Sequence, residues 1–518
     1  MKLDRTQNAK RNIVFGFILR VYQLLVPFVI RTAMIHYIGV DYLGLSSLFS
    51  SVLQVLNMAE LGVGSAMVFS MYKPIAEDDT EKICALMNLY KTYYRVIGLV
   101  ITIIGLLLVP FLPILIKGEV PADINIYVLY LLNLAATVFS YWGFAYRSSI
   151  ISAHQRTDLI SKINVVTSTV QYAVQIIVLV VFRNYYLYTL VYLGALILNN
   201  VTVGIIASKI YPQYKPNGNL DPKSTKAINK RIGDLFTAKL GSVIVNSVDT
   251  IVISAFLGLT ALAIYQNYYF ILTAILGFMS IIFSACTAGI GNSIVVETKE
   301  KNFNDLNVFT FIISWIAGFC STCLLCLYQP FMSVWVGEEL KLSFSMVICF
   351  SVYFFVYEIN QLLNTYKDAA GIWSKDKFRP LITALTNLAL NLLMVNYIGL
   401  FGILLSTILS MLFVGMPWLL YNLFTELFDR KKLIPYLRSL IRYVVIVVLG
   451  CIITYWACSF IALEGFALVV ARAVVCCIIP NVWYLLLFFR KTEFKQALRL
   501  GNMMTNGMIG RVLKIDFS

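Results

Sequence analysis

Charge is scarce in this chain, and acidic charge scarcest. Of 518 residues only 13% are charged, with 26 Asp and Glu against 41 Lys and Arg, and there are two histidines. No Walker A motif, paired-carboxylate signature or Ser/His/Asp arrangement is present, and the stretches between apolar runs are too short to hold a soluble catalytic domain, so no enzyme is expected. His36 and His154 sit at the ends of apolar runs or in loops, form no pattern and read as interfacial. Hydrophobicity takes the place of charge. Hydrophobic residues make up 59% of the chain and the mean hydropathy is +0.80, outside the range of a soluble globular protein. The sequence reads as an all-α, polytopic membrane protein.

Apolar runs near twenty residues, the length that crosses a bilayer, fall at 13–35, 43–70, 96–116, 124–145, 159–182, 185–207, 233–256, 262–290, 307–329, 342–365, 380–398, 400–424, 436–462 and 467–489. Fourteen transmembrane helices are therefore expected. The basic start (Lys2, Arg5, Lys10, Arg11) leads into an apolar stretch too long for a signal-peptide core, so the first helix is expected to remain as an anchor. With the amino terminus inside, 34 of the 41 Lys and Arg fall in inner segments and three, Lys117, Arg183 and Lys341, in outer loops. That bias predicts cytoplasmic termini in a cell membrane, and it accounts for the net charge of +15 without nucleic acid.

The longest inner segment carries Pro212, Pro216, Gly218 and Pro222 among lysines and reads as a basic cytoplasmic linker, 209–232. It separates an N-terminal six-helix bundle, 1–208, from a C-terminal one, 233–425. Two additional transmembrane helices, 426–490, and a cytoplasmic tail, 491–518, follow. Sliding the chain by 219 residues brings Arg20 onto Lys239 and Gly39 onto Gly258, and a further shift of eight brings Gly62-Val63-Gly64 onto Gly289-Ile290-Gly291. Two six-helix bundles in a parallel pseudo-twofold repeat are expected, meeting around a central pathway.

Seven ionisable residues fall within spans: Arg20, Arg31, Glu60, Lys239, Asp249, Glu358 and Arg472. Arg20 lies about seven residues, ~10 Å, past the inner edge of its span, and Lys239 is at matching depth in the seventh. Either both snorkel to the inner headgroups or the two cations, one from each half, converge on a shared anion. Glu60 reaches a similar depth and can neutralise only one of them. Arg31, nearer the outer edge, either snorkels to the outer headgroups or pairs with Asp249 to close an outer mouth, with Pro27 bending the first helix between the two arginines. Glu358, among Asn360, Gln361 and Asn364, marks a polar stripe that is either an interhelical hydrogen-bond cluster or a substrate or ion contact. Arg472 is expected to snorkel. Ten cysteines are present, and Cys320, Cys323 and Cys326 form the only local cluster. With no fourth ligand nearby and no polar loop, they read as helix-packing residues, and no metal or cofactor is expected.

The layout of six, six and two spans, the basic linker, and the segments Ile38-Gly39-Val40-Asp41-Tyr42-Leu43-Gly44 and Glu60-Leu61-Gly62-Val63-Gly64 resemble the Wzx-type oligosaccharide-lipid flippases of the multidrug/oligosaccharidyl-lipid/polysaccharide exporter superfamily. The resemblance implies two bundles forming a V around a cationic cavity, with transport by alternating access. Arg20 and Arg31 match the first-helix basic positions and Lys239 the seventh-helix counterpart. The implied substrate is a polyprenyl-diphosphate-linked oligosaccharide, carried from the cytoplasmic to the outer leaflet for O-antigen, capsule or exopolysaccharide assembly. Glycosyltransferases and a polysaccharide polymerase would act before and after it. Coupling to Na⁺ or H⁺ stays open. A lipid II flippase is the nearest alternative. A multidrug exporter fits less well, because those relatives place acidic residues where this first helix has two arginines. A membrane polymerase is disfavoured by the short outer loops.

Overall fold

The computed structural model describes residues 5–118 and 120–504, and every regular element among them is helical. In hydrocarbon each backbone N–H and C=O must find a partner within the protein, which an α-helix supplies internally except at its ends. Side chains cap several of those ends. Asp79 accepts from the Lys82 amide at 3.0 Å, and Asn184 from the Leu187 amide at 3.0 Å.

The chain forms two compact units, Met1–Ala263 and Ile264–Ser518. The first holds α1 (Arg5–Tyr37), α2 (Val40–Leu56), α3 (Val63–Ala76), α4 (Thr80–Leu108), α5 (Ile126–Trp142), α6 (Ser148–Ala153), α7 (Thr157–Ile177), α8 (Tyr185–Ile210), α9 (Pro222–Leu257) and the opening residues of α10 (Leu259–Val296). The second holds the rest of α10 and α11 (Lys299–Trp335), α12 (Phe344–Ala369), α13 (Arg379–Ser410), α14 (Met416–Glu426), α15 (Leu433–Ser459), α16 (Gly465–Phe488) and α17 (Thr492–Met504). In the first unit α1 lies along α7, α7 along α8, and α2 packs against both α1 and α9. In the second, α11 is central and touches α12, α15, α16 and α17. Gly318 permits that density, since a methyl group there would stand 2.6 Å from Val447 of α15 and 2.5 Å from the Tyr484 hydroxyl of α16.

The chain is a multi-pass membrane protein. Among the described residues eleven helical stretches are long and apolar enough to cross a bilayer, or twelve if α5 and Ala145–Ala153, bent by 45°, form one broken span. The difference from the expected fourteen lies at two places. Arg379–Glu426 counts as one stretch of 48 residues, yet Asn387 Nδ2 donates to Thr407 Oγ1 at 2.9 Å. On a straight helix residues that far apart in sequence would be about 30 Å apart. The chain therefore reverses at Gly399 (φ 56°, ψ −136°), and 380–398 and 400–424 are the limbs of a hairpin. The expected seventh span lies within α9, whose described residues include the shorter apolar stretch Ser247–Leu257.

The basic segment 209–232 is irregular only as far as Asp221. Pro222 opens α9 at a position where its missing N–H costs nothing, and the Asp221 carboxylate accepts from the Ser224 amide at 2.9 Å. The irregular part is tied down: Asn88 Nδ2 donates to the Gly218 carbonyl at 2.9 Å, and the Tyr211 ring lies 4.3 Å from that of His154. His154 is thus buried beneath the segment, 2% exposed, where an interfacial position was expected.

Candidate functional site

Arg20 on α1 and Lys239 on α9 are both exposed. Each stands the same distance before a helix break. Gly39 (φ 115°) separates α1 from α2 and Gly258 (φ 92°) separates α9 from α10, and each cation precedes its glycine by 19 residues, from 20 to 39 and from 239 to 258. At 1.5 Å per residue that is about 28 Å along each axis, so the two cations share one depth relative to their breaks. Their helices flank α2 on the first unit.

The break in the second expected span brings α9 close. After Asn57–Glu60, a single 3-10 turn, the chain passes through Gly62 at φ 87° into α3. A methyl group on Gly62 would lie 2.7 Å from Leu235 Cβ and 3.0 Å from the Ile232 carbonyl oxygen. Only glycine accommodates both the left-handed backbone and the α9 turn just before Lys239.

Glu60 itself is engaged by tyrosines. Its Oε1 accepts from the Tyr94 hydroxyl at 2.6 Å and its Oε2 from the Tyr141 hydroxyl at 3.0 Å, while Tyr90 donates to Tyr94 at 2.7 Å. Two charge-assisted bonds hold this carboxylate in a phenolic pocket, a partner set that sequence spacing could not show. Arg31 is partly buried and interacts electrostatically with Tyr188 of α8. The Tyr188 ring stacks on Tyr185 at 5.6 Å, and Tyr185 lies 5.3 Å from Tyr42. Asp249 is buried on α9 at 9% exposure, beside Thr250 and on the same helix as buried Ser247 and Ser254.

In the second unit Glu358 is 1% exposed on α12, its Oε2 has no hydrogen-bond partner among the described residues, and Cys320 of α11 lies nearby. The expected polar stripe divides here. Asn364 Oδ1 accepts from Arg379 Nη2 at 2.7 Å, and Arg379 makes a bidentate pair with Asp376 at 2.7 and 2.8 Å. Asp376 also accepts from Asn422 at 3.1 Å. These side chains form a buried ionic network between α12, α13 and α14. A cavity of about 530 Å³ opens in the same unit, lined by Ser293, Asn302, Asp305, Tyr366, Gln496 and Arg499 among others. Arg472 does not simply reach for water: its Nη1 donates to the Cys326 carbonyl at 3.4 Å.

The architecture is shared with solved transporters. The inward-closed lipid II flippase MurJ aligns with a TM-score of 0.66 at 14% identity, over 92% of this chain and 98% of its own. An inward-facing multidrug resistance MATE family transporter of the MOP superfamily aligns at 0.60 and 14% identity, over 81% and 99%. A MOP superfamily transporter from Pyrococcus furiosus, described as having a binding pocket of reverse polarity, aligns at 0.51 and 13% identity, over 83% and 96%. No curated protein sequence matches the chain. The family model for polysaccharide biosynthesis proteins matches residues 9–288, more than half of the chain, and the chain belongs to that family.

Proposed function

We propose that this protein flips a polyprenyl-diphosphate-linked oligosaccharide from the cytoplasmic to the outer leaflet by alternating access, with both termini in the cytoplasm, for cell-surface polysaccharide assembly. The observation that carries the reading is the equal depth of Arg20 and Lys239, each exposed and each 19 residues before a positive-φ glycine. A diphosphate carrying about two negative charges must shed water to cross, and a guanidinium and an ammonium at one level offer charge-assisted hydrogen bonds in its place. Glu60 is held in its own pocket by the Tyr94 and Tyr141 hydroxyls.

Moving ~2 negative charges outward across ~100 mV, inside negative, releases roughly 4–5 kcal/mol, so the membrane potential favours the proposed direction. Glu358, buried and with an unpartnered oxygen, is the group through which H⁺ or Na⁺ would couple. The family's description favours a polysaccharide precursor over lipid II. Arg20→Gln with Lys239→Gln tests the reading in cells. The expected result is loss of surface polysaccharide with lipid-linked sugar accumulating on the inner leaflet; normal polysaccharide from a stably inserted double variant contradicts it.

A further inference from the structure

Three cysteines remote in sequence converge in the second unit. Cys326 of α11, Cys458 of α15 and Cys476 of α16 place their sulfurs within 4.8 Å of one another, and the residues are 1%, 1% and 0% exposed. Cys323, one turn before Cys326, brings a further sulfur within hydrogen-bonding reach of Cys476. Apolar Leu327 and Val475 pack around the group.

A fixed positive charge stands beside the sulfurs. Arg472 lies four residues before Cys476 on α16, donates from Nη1 to the Cys326 carbonyl at 3.4 Å, and interacts electrostatically with both Cys458 and Cys476. Its Nε is buried with no partner among the described residues. A guanidinium left part-satisfied in a helix bundle is costly unless negative charge comes to it.

We propose that Cys326, Cys458 and Cys476 form a binding site for a thiophilic monovalent metal ion, Cu(I), with Arg472 as its counter-charge. A metal–sulfur bond of about 2.3 Å sets three sulfurs around one ion about 4 Å apart, the scale of this cluster, whereas a disulfide brings two sulfurs to about 2.05 Å. Cysteine thiolates are soft ligands of the kind that hold Cu(I). Charge balances as well. Binding releases the protons of two thiols to solvent, giving a bis-thiolate Cu(I) centre of charge −1, with the third sulfur as a neutral donor, and the Arg472 guanidinium neutralises it.

The test uses the full-length protein, purified in detergent under anaerobic reduction and titrated with Cu(I) against a chromophoric Cu(I) chelator. One ion per chain is expected, with an all-sulfur first shell in X-ray absorption. Cys326→Ser and Cys476→Ser should each lose the stoichiometric ion, and Cys286→Ser should keep it. Arg472→Gln leaves every sulfur in place and should weaken binding by roughly 10- to 100-fold. Three results overturn the proposal: no ion retained, equal retention by the Cys476→Ser variant, or a wild-type chain in which two of the three thiols are joined as a disulfide. Because the wild-type spectrum is read directly, a variant that fails to insert does not protect the proposal.

Discussion

The Thr260 hydroxyl donates to Asp41 Oδ1 at 2.5 Å across 219 residues of sequence, the same offset that sets Lys239 on Arg20 and Gly258 on Gly39. Nearby, Gly44 of α2 is so close to the start of α10 that a methyl group on it would lie 2.4 Å from the Leu259 carbonyl oxygen. The bond is exposed and charge-assisted. Asp41→Asn with Thr260→Val should therefore show a coupling of about 1 kcal/mol in a double-mutant cycle on thermal unfolding in detergent. Additive single effects would remove the contact from the account.

The Glu60 pocket makes a separate prediction. Tyr94→Phe deletes a donor to a carboxylate and leaves Oε1 short of a partner, which should cost about 1–3 kcal/mol. Once Glu60→Gln is present the same Tyr94→Phe change should cost less. Equal costs in both backgrounds, measured by thermal unfolding, would mean that the bond contributes nothing in the membrane protein.

His154 gives a pH dependence. Burial pushes its ring below the ordinary value of 6.5, so the folded chain holds it neutral while the unfolded chain still takes up a proton as pH falls. Below about pH 6.5 the unfolded state binds more protons, and stability should fall with falling pH. The thermal midpoint of the wild type should drop between pH 7.5 and 5.5, and the drop should be smaller in His154→Gln. An identical slope in the two proteins would place the titration elsewhere.

Glu358 predicts a pH dependence of transport rather than of folding. A buried carboxyl with a free oxygen changes charge only by exchanging a proton or ion with a pathway. Glu358→Gln keeps its shape and removes the titration. In proteoliposomes the wild-type rate should vary with an imposed pH or Na⁺ gradient and the variant rate should not. A gradient effect that survives the substitution would assign coupling to another group.

Much of this was open to reading from the sequence because hydrophobic length is a local property. The hairpin at Gly399 is visible as two apolar runs of bilayer length. Partners that arrive through helix packing were not visible. Tyr94 and Tyr141 lie 34 and 81 residues from Glu60, and Cys458 and Cys476 lie on helices remote from the local Cys320–Cys326 run. The lysine-rich opening of α9 read as linker because charge outweighed the two helix-start signals present, Asp221 as cap and Pro222 at the first position.

Arg20 and Lys239 as holders of the diphosphate are tested most directly by flipping in reconstituted vesicles. A polyprenyl-diphosphate-linked sugar should cross in wild-type proteoliposomes at a rate that rises when the donor side is made electrically negative. Arg20→Gln with Lys239→Gln, reconstituted at equal density, should cross at the protein-free rate. Wild-type flipping by the double variant would contradict the diphosphate site.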